Sequence, residues 1–98
     1  MEIEKSENGA ELTMKISGRL DTLTAPQLEK EVTEGLNGVT DLVMDFSDLE
    51  YISSAGLRVL LLTSKLMKGK GTFVLKNLRE EIKEIFEVTG FIDIMKIV

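Results

Sequence analysis

The sequence has no cysteine, no histidine and no tryptophan, and only one proline and one tyrosine. Without cysteine there can be no disulfide framework, which agrees with a reducing compartment. Without histidine or cysteine, the usual zinc sites and the serine–histidine or cysteine–histidine nucleophile pairs cannot be built, and most familiar hydrolase designs fall away. Long apolar runs are missing too, and the start Met1-Glu2-Ile3-Glu4-Lys5 has neither the basic head nor the apolar core of a secretion signal. The expectation is a cytoplasmic protein with no membrane span. Positive charge is sparse: 12 basic residues stand against 17 acidic ones, for a net charge of −5. The lysines are scattered, which argues against direct nucleic-acid binding.

The 98 residues suffice for one domain, 1–98, and 43% hydrophobic with 30% charged residues is ordinary for a globular chain. Three residue groups resolve into structure rather than chemistry. Gly69-Lys70-Gly71-Thr72 lacks the Gly-Lys-Ser/Thr order of a phosphate loop and precedes a strand instead of opening a helix. Asp45, Asp48 and Glu50 have no ligand spacing that singles out a metal, so turn formation and solubility are their default roles. Lys65, Lys68 and Lys70 close a helix, where cations suit the free carbonyls.

Periodicity supplies the elements. Residues 2 to 5 and 11 to 17 read as a hairpin turning at Asn8-Gly9, since Leu12, Met14 and Ile16 alternate with polar residues. Residues 18 to 23 form a connecting loop. Thr24 then opens a helix with Gln27 as capping-box partner, Pro26 in its first turn and Leu28, Val32 and Leu36 inward; Gly35 and Gly38 help end it. A strand follows at about 41 to 46, a helix at 54 to 68 stopped by Gly69-Lys70-Gly71, and a strand at 72 to 76. Asn77 is positioned to cap a last helix with Ile82, Ile85 and Phe86 inward and Gly90 as its stop, and 94 to 98 can form a final strand. Strands alternating with helices give an α/β fold with a partly parallel sheet and right-handed crossovers.

The segment Asp45-Phe46-Ser47-Asp48-Leu49-Glu50-Tyr51-Ile52-Ser53-Ser54-Ala55-Gly56-Leu57 runs from a strand into a nearly continuously apolar helix. Leu57, Leu60 and Leu61 lie on one helical face and Val59, Leu62 and Leu66 on another, so this helix packs on more than one side. Its free N–H groups and positive dipole end surround the Ser53 and Ser54 hydroxyls, a setting that takes a cap oxygen or an anion equally well. Serine is among the commonest N-cap residues, so capping is the default of the two.

Tyr51-Ile52-Ser53-Ser54-Ala55-Gly56-Leu57 resembles the signature of the STAS domain, and specifically of the bacterial anti-sigma factor antagonists, in which an apolar strand leads to Asp-Ser-Ser-Gly-Leu and an apolar helix. Gly18-Arg19-Leu20-Asp21-Thr22-Leu23-Thr24-Ala25 and Glu84-Ile85-Phe86-Glu87-Val88-Thr89-Gly90-Phe91 fall in the family's order and spacing, so the likeness covers nearly the whole chain. It implies a single STAS-like domain with a mixed four- or five-stranded sheet packed with helices, and the Ser54 loop at the sheet's edge. Many family members continue into one more helix. By the same resemblance Ser54, two residues before Gly56, is the phosphate acceptor. Asp21 lies beside it, and Asp21, Thr22, Ser53, Ser54, Gly56 and Arg58 form the partner surface. Ser53 stands where the family usually has aspartate, and Ala55 where many antagonists have a second hydroxyl.

The implied function is a non-enzymatic switch, needing no cofactor of its own. Unmodified, it occupies an anti-sigma factor with serine kinase activity and frees a sigma factor; phosphorylated, it lets go, until a serine phosphatase resets it. ATP and magnesium belong to the kinase, and the switch is a monomer when free. The rival expectation is a constitutive assembly subunit of a transporter or signalling scaffold, with the two serines merely capping the helix.

Overall fold

The alternation of Leu12, Met14 and Ile16 with polar residues forms a strand, β2 (Glu11–Leu20), paired antiparallel with β1 (Glu2–Asn8). In the computed structural model, which describes residues 1–98, the hairpin turns at Gly9-Ala10 and not at Asn8-Gly9, because Asn8 is still paired with Glu11. Gly9 carries φ +63° at the first central position of this two-residue turn, as a type II′ turn requires. β1 is therefore three residues longer than its apolar content suggests.

The remaining elements are α1 (Ala25–Gly35), β3 (Asp41–Asp45), β4 (Leu49–Ile52), α2 (Ser54–Met67), β5 (Thr72–Lys76) and α3 (Glu80–Thr89). The sheet runs β1-β2-β3-β5, with β4 paired to β2 off this path. Every contact other than the hairpin is parallel, so the sheet is mixed and five-stranded. β3 lies along the first half of β2 and β4 along its last three residues. Residues 18 to 20, expected in a loop, are thus strand.

β4 escaped the sequence reading for a definable reason. The pairing shifts between Gly18 and Arg19, which face Leu49 and Tyr51, so the buried residues Leu49 and Ile52 are separated by two exposed ones. A bulge erases the period-two signal on which strand recognition depends.

Register builds the core. Leu12 sits beside Leu42, Met14 beside Met44 and Met44 beside Leu75, all fully or almost fully buried. Leu28 and Val32 of α1, Leu57, Leu60 and Met67 of α2, and Ile82 and Phe86 of α3 join them in one cluster. Of the two α2 faces expected to pack, Leu57, Leu60 and Val59 are buried, Leu61 and Leu62 are half-buried, and Leu66, at 36% exposure, is left outside. The opposite strand positions form a row of alternating charge, exposed Glu4 followed by half-buried Lys15, Asp45 and Lys76. Lys15 also pairs with Asp48 at 3.0 Å, and that hydrogen bond and charge raise its pKa.

Three local expectations are corrected. Asn77 does not cap α3: it sits at φ +61° and its amide donates to Asp45 Oδ1 at 3.2 Å, while Arg79 occupies the cap position. Thr24 makes no side-chain cap on α1, because its hydroxyl is committed backwards to the Arg19 carbonyl at 2.8 Å. The final strand reduces to a single parallel bridge between Leu75 and Ile97, following a 3-10 turn at Phe91–Asp93. Gly90 ends α3 at φ +81°, as expected. Lys70 does serve a helix C-terminus, but that of α1: its ammonium donates to the Leu36 carbonyl at 2.6 Å.

Candidate functional site

α2 begins where β4 ends, at the carboxyl end of the paired strands β2 and β4. The backbone makes the junction: the Ser53 N–H donates to the Leu20 carbonyl at 2.9 Å, and the Ser53 carbonyl accepts the Leu57 N–H at 3.0 Å. Gly56 lets the first turn settle onto the sheet. It is buried, and a Cβ there would stand 2.7 Å from Leu20 Cγ and 2.8 Å from Ile52 Cγ1. Its part in the surface is to place its neighbours.

The two serines differ sharply. Ser53 is the N-cap in extended geometry (φ −99°, ψ 175°), yet its hydroxyl makes no capping hydrogen bond. Its Oγ is shielded from solvent and has no partner. Leaving a buried hydroxyl unpaired costs about 1–3 kcal/mol. Ser54, the first residue of the helix, is exposed. The first-turn N–H groups of α2 are accordingly not filled by a side chain, and no acidic residue in that turn offsets the positive dipole end. The arrangement is open to an anion.

The neighbouring loop is organised by Asp21. Its Oδ1 accepts the Leu23 N–H at 3.0 Å and the Thr24 N–H at 3.1 Å, and its carbonyl accepts the Ala25 N–H at 2.8 Å. The Thr24 hydroxyl in turn accepts the Asp21 N–H at 2.9 Å. Desolvation pushes the Asp21 pKa upward, but the Thr24 and Leu23 N–H donors, the Thr24 hydroxyl and the Arg19 charge together hold it below the ordinary carboxylate value. Asp21 thus ties residues 21 to 25 into a turn through its carboxylate and its carbonyl.

These two segments share a groove. Thr22, Ala25, Pro26 and Glu29 line it from the first, and Ala55, Arg58 and Val59 from the second. Thr22 and Arg58 are exposed. Sequence reasoning singled out both sides but overlooked two neighbours. Arg19 stacks 4.4 Å above the Tyr51 ring while its Nε lies 3.7 Å from Asp21 Oδ2, and Leu23 is 89% exposed. The Arg19–Tyr51 pair follows from the β2–β4 register, which could not be read without β4. No group of three or more acidic residues is placed to hold a metal ion. No helix is long and apolar enough to cross a membrane.

The fold and its serine-bearing junction have clear relatives. A family model described as the STAS domain matches residues 2–98. A Bordetella bronchiseptica protein named as an anti-sigma factor antagonist, BtrV, is 39% identical over 84 residues, covering 84% of this chain and 72% of that protein. The anti-sigma-B factor antagonist of Bacillus subtilis is 30% identical over 96 residues, covering 97% of this chain and 88% of that one. Among solved structures, the Bacillus cell fate determinant SpoIIAA in its phosphorylated form superposes with a TM-score of 0.76 at 17% identity, covering 99% of this chain and 91% of that chain. That likeness speaks for the fold alone. The chain belongs to the STAS domain family, as one of its anti-sigma factor antagonists.

Proposed function

We propose that this antagonist is a binding module switched by phosphorylation of Ser54. Unmodified, it occupies an anti-sigma factor that is also a serine kinase, and so frees a sigma factor. The kinase transfers the γ-phosphoryl of its ATP to Ser54 Oγ, ADP leaves with its share of the phosphates, and the hydroxyl proton is lost. A serine phosphatase reverses the step by hydrolysis. The observation that carries this reading is the exposed Ser54 hydroxyl at a helix start with no side-chain cap and no acid in its first turn. Phosphoserine adds about −1.5 to −2 charges and three acceptor oxygens there, which alters a contact surface without requiring the helix to melt. Thr22 and Arg58 line the groove that reaches Ala55, the residue after Ser54, and together with the Asp21-stapled loop they are the proposed partner surface.

The constitutive-subunit reading needs the serines as caps, and neither Ser53 nor Ser54 makes a capping hydrogen bond on α2. Catalysis is not part of the proposal; the protein acts by binding. Incubation with candidate anti-sigma kinases and magnesium ATP, followed by mass spectrometric mapping, tests it. Phosphate on Ser54 is expected; phosphate confined to Ser53, or to neither serine with any such kinase, overturns it.

A further inference from the structure

We infer that Ser54, once phosphorylated, is gripped by its own helix, with Arg58 and the Ser53 hydroxyl closing on the phosphate so that modification withdraws Arg58 from the groove. The inference rests on the reading of Ser54 as the acceptor.

Ser54 and Arg58 are both exposed and stand four residues apart on α2. Side chains at that spacing are neighbours, with Cβ atoms about 5–6 Å apart, and the C-terminal one leans back toward the helix start. Arg58 is free to do so. Arg19 pairs with Asp21 and Arg79 with Glu81, whereas Arg58 makes no ion pair or hydrogen bond. α2 contains no acidic residue to compete for it. The one carboxylate lining the same groove, Glu29 on α1, is not within ion-pair distance.

The second observation is independent. Ser53 Oγ is shielded from water and unsatisfied at the cap position, directly before the acceptor. A phosphate on Ser54 brings oxygens to the first turn, where a χ1 rotation offers the Ser53 proton to one of them. First-turn N–H groups and the helix dipole add to the same attraction. The phosphate thus supplies the anion that the helix start lacks, and an Arg–phosphate pair can be bidentate. The groove loses its exposed cation in the event that adds the anion.

The test installs phosphoserine at position 54 during translation, in otherwise wild-type protein and in Arg58→Gln, Arg58→Lys and Ser53→Ala backgrounds. Phosphorus NMR titration and thermal unfolding are read on each. In wild type the second phosphate ionisation is expected a few tenths of a unit or more below the value of about 6 for free phosphoserine, and the melting midpoint at or above that of unmodified protein. Arg58→Gln moves the ionisation back up and removes any gain in midpoint, Arg58→Lys restores part of both, and Ser53→Ala gives a smaller change in the Gln direction. An ionisation equal to free phosphoserine, or identical in wild type and Arg58→Gln, overturns the inference by showing a phosphate that projects into solvent. No kinase takes part, so failure here leaves the acceptor assignment standing. Kinase labelling away from Ser54 would defeat that assignment without touching this measurement.

Discussion

The Ser53 N–H and the Leu20 carbonyl meet at 2.9 Å, and this bond ties the start of α2 to the end of β2. Because Leu20 directly precedes Asp21, the same contact sets the two sides of the Thr22–Arg58 groove against each other. The junction is held by backbone and by the fit of Gly56 on Leu20 and Ile52, leaving the serine hydroxyls uncommitted.

Gly56→Ala tests that fit. Alanine gains about 1 kcal/mol of helix propensity over glycine, but a Cβ 2.7 Å from Leu20 Cγ and 2.8 Å from Ile52 Cγ1 forces buried side chains to move. Overpacking of this kind costs about 1–3 kcal/mol, so chemical denaturation is expected to show a net loss of stability. A variant as stable as wild type would mean that the helix start is not seated by this contact.

Ser53→Ala has an unusual expected sign. Removing a serine N-cap ordinarily costs about 0.5–2 kcal/mol. Here the hydroxyl is buried without a partner, so alanine is expected to leave the thermal midpoint of the unmodified protein unchanged or higher. A drop of several degrees would show that Ser53 caps α2 in solution.

Asp21 links the loop to pH. Its folded-state pKa lies below the unfolded value of about 3.9, so its contribution is present at neutral pH and is lost as pH falls through the folded value. Asp45, also lowered by its Ser47 and Asn77 hydrogen bonds against the opposing pull of desolvation, behaves in the same way. Asp21→Asn keeps an acceptor oxygen but loses the charge. It should lower stability near neutrality and flatten the acid limb of the stability-versus-pH curve below about pH 4, the two proteins converging as Asp21 itself protonates. An unaltered acid limb would remove Asp21 from that account.

Much of the site was legible because its signals are local. The apolar run of α2 and the Gly56 spacing are visible in consecutive residues, as is the Asp21 turn, although its loop is shorter than expected because residues 18 to 20 are strand. What stayed hidden depends on partners distant in sequence. β4 was concealed by its bulge, and with it the Arg19–Tyr51 stack. Thr24 and Asn77 look like caps, yet the Arg19 carbonyl and the Asp45 carboxylate claim their side chains. The Ser53 cap failed for a subtler reason: residue type and position were right, and only three-dimensional geometry leaves the hydroxyl unbonded.

The central claim is tested most directly by isothermal titration of the cognate anti-sigma kinase with unmodified protein and with protein carrying phosphate on Ser54 alone. Binding at least tenfold weaker after modification, about 1.4 kcal/mol, with an unchanged circular dichroism spectrum, is the predicted result. Equal affinities for the two forms would contradict a switch at Ser54.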